Sequence, residues 1–210
     1  MRRVAMVLLS IAAVTVFDNQ AVTKLSAVDK DNGKFKPGPA SSYKGHVTQE
    51  MITIAAVPYM TAELASSAFG KVNPYSRGIL PILVLIQNDT GKAVRVNLQA
   101  EFVDLSNRHI DAMPAGDVVL FGGVRKPPGI PGTGPNPLPF PRGPKRGPLN
   151  TWEIEGRAFN AKLIPAGEAA QGFVYFETSF KDGSKLYLTG LKDAATGKDF
   201  FYFEVPVERP

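Results

Sequence analysis

The feature that most constrains this 210-residue chain is a strict alternation of apolar and polar side chains from Val94 to Phe102. The apolar positions are Val94, Val96, Leu98, Ala100 and Phe102, and the positions between them are Arg95, Asn97, Gln99 and Glu101. Successive side chains of a β-strand point to opposite faces, so this period of two predicts an antiparallel strand with one buried face and one solvated face. The chain therefore has to build a sheet that is covered on at least one side.

Similar short runs precede and follow this strand. HVTQEMITIAAV begins at residue 46, and ILPILVLIQN at 79–88 predicts a buried central strand because it is continuously apolar and too short to span a membrane. The turn Asn88-Asp89-Thr90-Gly91 then reverses the chain. VVLF at 118–121 predicts another short strand. The last third alternates QGFVYFETSF, KLYLTGL and DFFYFEVPV with the turn signals KDGS and KDAATGK, which is typical of a meander.

Helical signals are few. Thr61 can cap a helix over AELASSAF, in which Leu64, Ala65, Ala68 and Phe69 share one side and Gly70 ends the helix. TWEIEGRAFNAKL, from residue 151, predicts a second helix with acidic residues early and basic residues late, although Gly156 weakens it. A full βαβ alternation is missing, so the pattern indicates an antiparallel β-sandwich of about seven strands with one or two short helices.

The succession ILPILVLIQNDTGKAVRVNL, LIPAGEAAQGFVYFE and KLYLTGLKDAATGKDFFYFEV resembles uncharacterised bacterial secreted or envelope proteins with an immunoglobulin-like β-sandwich. The resemblance covers residues 47–207 and includes a Pro-Ala-Gly-Glu turn at 165–168. It implies an immunoglobulin-like sandwich, and the residue pattern places this domain at 44–210 with a long proline-rich loop at 125–148. Only the architecture is implied, because a chain without cysteine cannot form the disulfide of antibody domains.

The N-terminus, MRRVAMVLLSIAAVTVF, is typical of an export signal: two arginines precede an apolar run over residues 4–17. As a helix this run would reach about 21 Å, short of the roughly 30 Å hydrocarbon layer. We therefore expect a cleaved signal over residues 1–17 and an exported protein, periplasmic or extracellular. The alternatives are an ordinary buried segment or an uncleaved anchor that contacts the membrane. Residues 18–43 are rich in polar residues, Gly and Pro, which predicts a flexible tether.

Residues 125–148 form a basic proline-rich segment with nine prolines, five glycines, five Lys or Arg and no acidic residue. Proline lacks a backbone donor, so the segment can be neither a helix nor a central strand. We interpret it as a docking arm for an acidic envelope protein or an anionic envelope polymer; a loop without any partner is the alternative. The predicted partner-binding residues are Leu138 and Phe140 as apolar anchors, with Arg125, Lys126, Arg142, Lys145 and Arg146 as charges.

Signals for catalysis and cofactors are missing. The chain has no cysteine and two histidines, His46 and His109, which lie far apart and lack the spacing of metal ligands. It contains neither a serine elbow nor a phosphate-binding loop, so we predict no cofactor, no metal and no catalytic residue. The net charge of +5 is not interleaved with stacking aromatic residues, and a nucleic-acid partner is therefore not expected.

Two further groups of residues keep other functions open. In FFYFEV, residues 200, 202 and 204 alternate with 201, 203 and 205, so one set is core and the other predicts an exposed aromatic sheet face, unless a helix or the proline-rich loop covers it. The carboxylates and the histidine that could serve a hydrolase are Glu101, Asp104, Glu153, Glu155, Glu177 and His109.

The leading hypothesis is a non-enzymatic exported binding or scaffolding module of the bacterial envelope. It would contact partners through the basic proline-rich segment or through the aromatic sheet face. The alternatives are an envelope hydrolase that uses loop carboxylates, and a structural subunit of a membrane-attached complex held by an uncleaved N-terminal helix.

Overall fold

Two antiparallel sheets pack face to face in the computed structural model, which describes residues 35–121 and 151–210. The strands are β1 (His46–Gln49), β2 (Ile52–Pro58), β3 (Leu80–Asn88), β4 (Val94–Val103), β5 (His109–Asp111), β6 (Leu163–Ile164), β7 (Ala169–Phe176), β8 (Lys185–Asp193) and β9 (Tyr202–Pro206). The helices are α1 (Ala62–Phe69), α2 (Ala115–Leu120) and α3 (Thr151–Glu155), with short 3-10 turns at Ala40–Ser42 and Tyr75–Arg77. The predicted export signal and the proline-rich segment lie outside the described residues.

The first sheet has the strand order β1-β2-β3-β7, and the second has the order β5-β4-β8-β9, with β6 pairing to β4. Every pairing between these strands is antiparallel. The predicted antiparallel β-sandwich is therefore confirmed. The described residues contain nine strands rather than about seven, because β5 and β6 are too short to give a readable period.

The main core lies between the two sheets. It contains Ile52 and Ile54 of β2, Ile82, Val84 and Ile86 of β3, Val94, Val96 and Phe102 of β4, Leu186 and Leu188 of β8, and Phe203 and Val205 of β9. The alternation predicted for β4 is confirmed, except that Leu98 is only half-buried. The β4–β8 register shifts between Val96 and Gln99, where Gly190 meets the Asn97 backbone so closely that a Cβ would collide with it.

A second core covers the other face of the first sheet. Leu83 and Leu85 of β3 and Phe173 and Tyr175 of β7 pack there against Ala65 and Phe69 of α1, Val118 of α2 and Ile154 of α3. Strand β3 is consequently buried on both faces, which explains why its sequence is continuously apolar instead of alternating. The prediction of a buried central strand is confirmed.

The first helix begins and ends as predicted. The Thr61 hydroxyl accepts a hydrogen bond from the Leu64 backbone N–H at 3.3 Å, and Gly70 ends the helix with a φ of +63°. Ala65, Ala68 and Phe69 are buried on one side. No helix among the described residues has the length and the hydropathy needed to cross a lipid bilayer.

Two local predictions are wrong. VVLF at 118–121 is not a strand: Val118 and Val119 are buried on α2, because a short apolar run cannot by itself distinguish strand from helix. The helix predicted from residue 151 ends at Glu155. The chain beyond it lies beside β7, where Phe159 N–H donates to the Phe173 carbonyl at 2.9 Å and Phe173 N–H donates to the Arg157 carbonyl at 2.8 Å. These hydrogen bonds to β7 outweigh the helical tendency of the segment.

Part of the predicted tether packs on the second core. The Phe35 ring lies 5.5 Å from the Phe173 ring and 6.1 Å from the Tyr59 ring, and Arg157 stacks over Phe35 at 4.8 Å. Ala40 is buried. Residues 35–43 therefore belong to the packed domain, whereas 18–34 lie outside the described residues.

Candidate functional site

The outer face of the second sheet is the main candidate surface, because the three described helices all pack on the first sheet. Residues that face outward alternate with core residues along β4, β8 and β9. On this outer face Tyr202 keeps 49% of its surface exposed, and the adjoining Phe201 keeps 71%. Exposed aromatic side chains that adjoin one another make this face a candidate contact surface.

The strand register arranges the outward side chains in rows across the sheet. One row places Asp111, Glu101, Tyr187 and Glu204 directly opposite one another on β5, β4, β8 and β9. The next row contains Gln99, Thr189 and Tyr202, and the row on the other side contains His109, Val103 and Lys185. We call the first of these rows the acidic row, since it holds three carboxylates around Tyr187.

Three rings connect the rows diagonally. The Tyr187 and Tyr202 rings are stacked with their centroids 5.1 Å apart and their planes inclined by 23°. His109 meets Tyr187 edge-on at 6.2 Å. Tyr187 and Tyr202 are diagonal neighbours on adjacent strands and so within reach of each other, whereas the His109 ring of β5 meets Tyr187 across the intervening strand β4. His109, Tyr187 and Tyr202 thus form a continuous line of rings, here called the aromatic ladder.

Phe201 immediately precedes Tyr202, the first residue of β9. Its φ is +54°, in a left-handed region that costs a residue with a side chain about 1 kcal/mol. This backbone conformation breaks the alternation predicted for FFYFEV: Phe200 and Phe203 both point into the core, whereas Phe201 and Tyr202 are both exposed. The predicted alternation therefore holds from Tyr202 to Val205 and is wrong at Phe200, which is buried, and at Phe201, which is exposed.

Two ion pairs lie beside the aromatic ladder, and His109 takes part in one of them. The Glu101 carboxylate lies 2.6 Å from His109 Nδ1, and Lys185 Nζ lies 3.1 Å from the Glu204 carboxylate. All four side chains are well exposed to solvent, so these pairs orient the groups more than they stabilise the fold. In the adjoining turn, hydrogen bonding from the Arg108 backbone N–H lowers the pKa of the Asp104 carboxyl.

The other residues considered for chemistry are dispersed. Glu153 and Glu155 lie on α3 over the first sheet, Asp104 lies in the turn after β4, and Glu177 follows β7. Among the described residues, no group of three or more His, Asp or Glu side chains could hold a metal ion. His46 lies on the first sheet and His109 on the second. The predicted arm residues, Arg125, Lys126, Leu138, Phe140, Arg142, Lys145 and Arg146, lie outside the described residues.

Asn88 has a structural role in its turn. Its side chain is buried, and its amide nitrogen lies 2.6 to 3.0 Å from the carbonyl oxygens of Lys92, Ile164 and Pro165. Its amide oxygen accepts hydrogen bonds from the Thr90 N–H and hydroxyl. The predicted turn at 88–91 is confirmed, and Gly91 completes it with a φ of +73°. The buried amide nitrogen is fully engaged within the protein.

A cavity of about 390 Å³ lies near the C-terminal end of the chain, away from the aromatic ladder. It is lined by Lys44, Asp182, Gly183, Val207, Glu208 and Arg209. The Arg209 guanidinium donates to both Asp182 carboxylate oxygens at 3.0 Å. Two of the charged residues that line this cavity are therefore paired with each other.

Sequence reasoning did not find the acidic row or Tyr187. It pointed to an aromatic face in FFYFEV, but the row depends on which residues of β5, β4, β8 and β9 stand opposite one another. Glu101 and Glu204 are brought together by pairings between distant parts of the chain. No signal in a single sequence specifies that register.

No protein-family model matches the chain, and no curated protein matches it significantly. Among solved structures, the yjhA protein from Bacillus subtilis is similar, with 9% identity, a TM-score of 0.41, and coverage of 79% of this chain and 97% of that chain. A similarity this distant carries no conclusion about function.

Proposed function

We propose that this domain is a non-enzymatic binding or scaffolding module of the bacterial envelope, and that it contacts its partner through the outer face of the second sheet. The observation that carries the proposal is the exposure of Phe201 and Tyr202 beside the aromatic ladder. Tyrosine and phenylalanine are enriched at the centres of protein interfaces because they bury a large apolar surface while losing little side-chain entropy.

The geometry of the face supports this role. Strands β4, β8 and β9 hold the rings on a rigid support, and Gln99, Thr189 and Glu204 surround them with polar groups. An apolar centre with a polar rim is the usual composition of a protein interface. Phe201 keeps a disfavoured backbone conformation while its ring stays in water, and strain of this kind tends to occur at functional sites.

The envelope location is proposed from the sequence of residues 1–17, which has the charge and length of an export signal. The basic proline-rich segment, residues 125–148, is proposed as a second contact region because its charge is of one sign and its backbone cannot join a sheet.

The experiment measures how much purified full-length protein sediments with isolated cell envelopes of the source organism. We expect replacement of Phe201 and Tyr202 by serine to weaken this binding by about tenfold or more, since central aromatic residues dominate interface energies. Trp152→Ser is the matched control, because Trp152 is 84% exposed but lies on α3 over the other sheet. Equal binding of all three proteins would overturn the proposal.

A further inference from the structure

We propose that the outer face of the second sheet binds the basic proline-rich segment, residues 125–148, of a second copy of this chain. This inference rests on the proposed function and names the partner for the same face. It joins two features of opposite character: the acidic row with its aromatic ladder, and the most basic, most proline-rich part of the sequence.

The acidic row itself is negatively charged, whereas farther along the same face Arg95 of β4 stands opposite Lys192 of β8, and Lys192 pairs with Asp199. Asp111, Glu101 and Glu204 stand in one row, and Lys185 is the cation in contact with that row, through Glu204. His109 Nδ1 lies 2.6 Å from the Glu101 carboxylate. Exposed carboxylates that surround aromatic rings are complementary to Lys and Arg, which can donate to the carboxylates and stack over the rings.

The proposed occupant has the matching composition. Residues 125–148 contain five Lys or Arg and no acid, together with nine prolines and the apolar residues Leu138 and Phe140. Proline-rich ligands dock on surfaces lined with aromatic residues, because proline rings pack on them and the ligand loses little conformational entropy. Tyr187, Tyr202 and Phe201 supply such a surface beside the carboxylates.

The attachment points of the segment favour a second copy. The described chain stops at Phe121 after α2 and resumes at Thr151 in α3, and both helices pack on the far side of the first sheet through Val118 and Ile154. Two sheets, packed about 10 Å apart, therefore separate these points from the receiving face of the same molecule. Residues 122–150 have an extended contour of about 90 Å, and because both ends are fixed at neighbouring helices the loop reaches about 45 Å, enough to contact a neighbouring molecule.

Such a contact joins two different surfaces, so each molecule would offer both a face and a segment. Reciprocal exchange of the segments closes a two-fold dimer, whereas one-way contacts produce rings or open chains. The inference therefore assigns the protein to the class of self-associating scaffolds, and it predicts association that depends on protein concentration and weakens with salt.

The test has two measurements on the full-length protein. In the first, a fluorescent synthetic peptide of residues 125–148 is titrated with protein kept dilute, and its anisotropy is followed. We expect saturable binding that weakens by about tenfold in the double variant Glu101→Gln and Glu204→Gln, since both charges face the ligand. Two control variants each remove one carboxylate away from this face: Asp182→Asn, near the C-terminal cavity, and Glu177→Gln, after β7. Both should leave peptide binding unchanged.

In the second, sedimentation velocity follows the protein over a range of concentrations. Association should disappear in the Glu101→Gln and Glu204→Gln variant and in a full-length variant whose five basic residues at 125, 126, 142, 145 and 146 are glutamine. Mixing these two variants should not restore long assemblies but should form a pair, since each keeps one intact surface.

Peptide binding that ignores the Glu101 and Glu204 changes, or no binding at all, overturns the inference. A protein that stays monomeric at every concentration also overturns the assignment to a second copy. This includes the case in which the segment of each molecule occupies that molecule's own sheet face and so prevents the peptide from binding. Failure of this inference can be distinguished from failure of the proposed function. If the Phe201 and Tyr202 variant loses envelope binding but the peptide does not bind, the sheet face has another partner, and only this inference is lost.

Discussion

Tyr187 of β8 and Tyr202 of β9 stack at 5.1 Å although they are not register partners: Tyr187 stands opposite Glu204, and Tyr202 stands opposite Thr189. The rings meet along the diagonal between two rows. This contact holds the exposed Tyr202 ring in a defined orientation before any partner arrives. A prearranged ring loses less freedom on binding, which favours affinity.

The stacking of the Tyr187 and Tyr202 rings should be measurable as a coupling free energy between the two residues. In a double-mutant cycle with Tyr187→Ala and Tyr202→Ala, we expect the two residues to couple by about 0.5 to 1 kcal/mol in the free energy of unfolding. Urea denaturation of the four proteins gives this value. Pairing Tyr187→Ala with Tyr75→Ala is the reference cycle, and comparable coupling there would contradict the assignment.

Phe201→Gly should separate stability from binding. Glycine adopts a φ of +54° without strain, and the exposed ring contributes little to the fold, so we expect a gain of about 0.5 to 1 kcal/mol in the free energy of unfolding together with weaker partner binding. Glu50→Gly, at a φ of +47° in the β1–β2 turn, should give a similar gain with unchanged binding. A lower free energy of unfolding in Phe201→Gly would contradict the claim that the backbone at Phe201 is strained.

Gly190→Ala should be strongly destabilising. A Cβ at this position would collide with the Asn97 carbonyl oxygen, and the φ of +88° is itself unfavourable for alanine. We expect a loss of about 3 kcal/mol, from strain and a disturbed β4–β8 pairing. Gly167→Ala, with a φ of +73° and open space around its Cβ, should lose only about 1 kcal/mol. Thermal unfolding compares the two, and equal losses would show that the close contact is unimportant.

Asn88→Ala should cost about 3 kcal/mol, because it leaves buried carbonyl groups around the β3–β4 turn without their donor. Asn97→Ala is the control: its side chain is exposed on β4, and we expect a change within about 0.5 kcal/mol. Chemical denaturation measures both. An unchanged free energy of unfolding in Asn88→Ala would mean that the turn keeps its conformation without the side chain.

Alkaline pH should weaken the domain through the second core. Burial raises the pKa of Tyr59 to about 12 and raises that of Tyr175 still further. The unfolded chain loses these protons near the ordinary tyrosine pKa of about 10, whereas the folded protein keeps them. The stabilisation is therefore complete below pH of about 10 and is lost as the pH rises toward the folded pKa. Tyr59→Phe should flatten this decline in urea denaturation, and an unchanged slope in this variant would contradict the prediction.

Several elements were predictable because their signals are local. The Thr61 cap and the Gly70 stop define α1, the alternation from Val94 predicts β4, and the continuous apolar run predicts that β3 is central. The same local reasoning was wrong for Val118 and Val119. A four-residue apolar run fits either a strand or a helix, and only its packing between α3 and β7 decides for α2.

The candidate face shows where the sequence by itself stops. Periodicity determined that the chain makes half-buried strands, and it predicted that one set of aromatic residues in FFYFEV would be exposed unless another segment covered it. Tertiary structure alone decided that Asp111, Glu101, Tyr187 and Glu204 form one row, and that Phe201 and Tyr202 are exposed together. The physical reason is that side-chain alternation is a property of neighbouring residues, whereas the register between β4 and β8 is a choice made by hydrogen bonds between segments far apart in the chain.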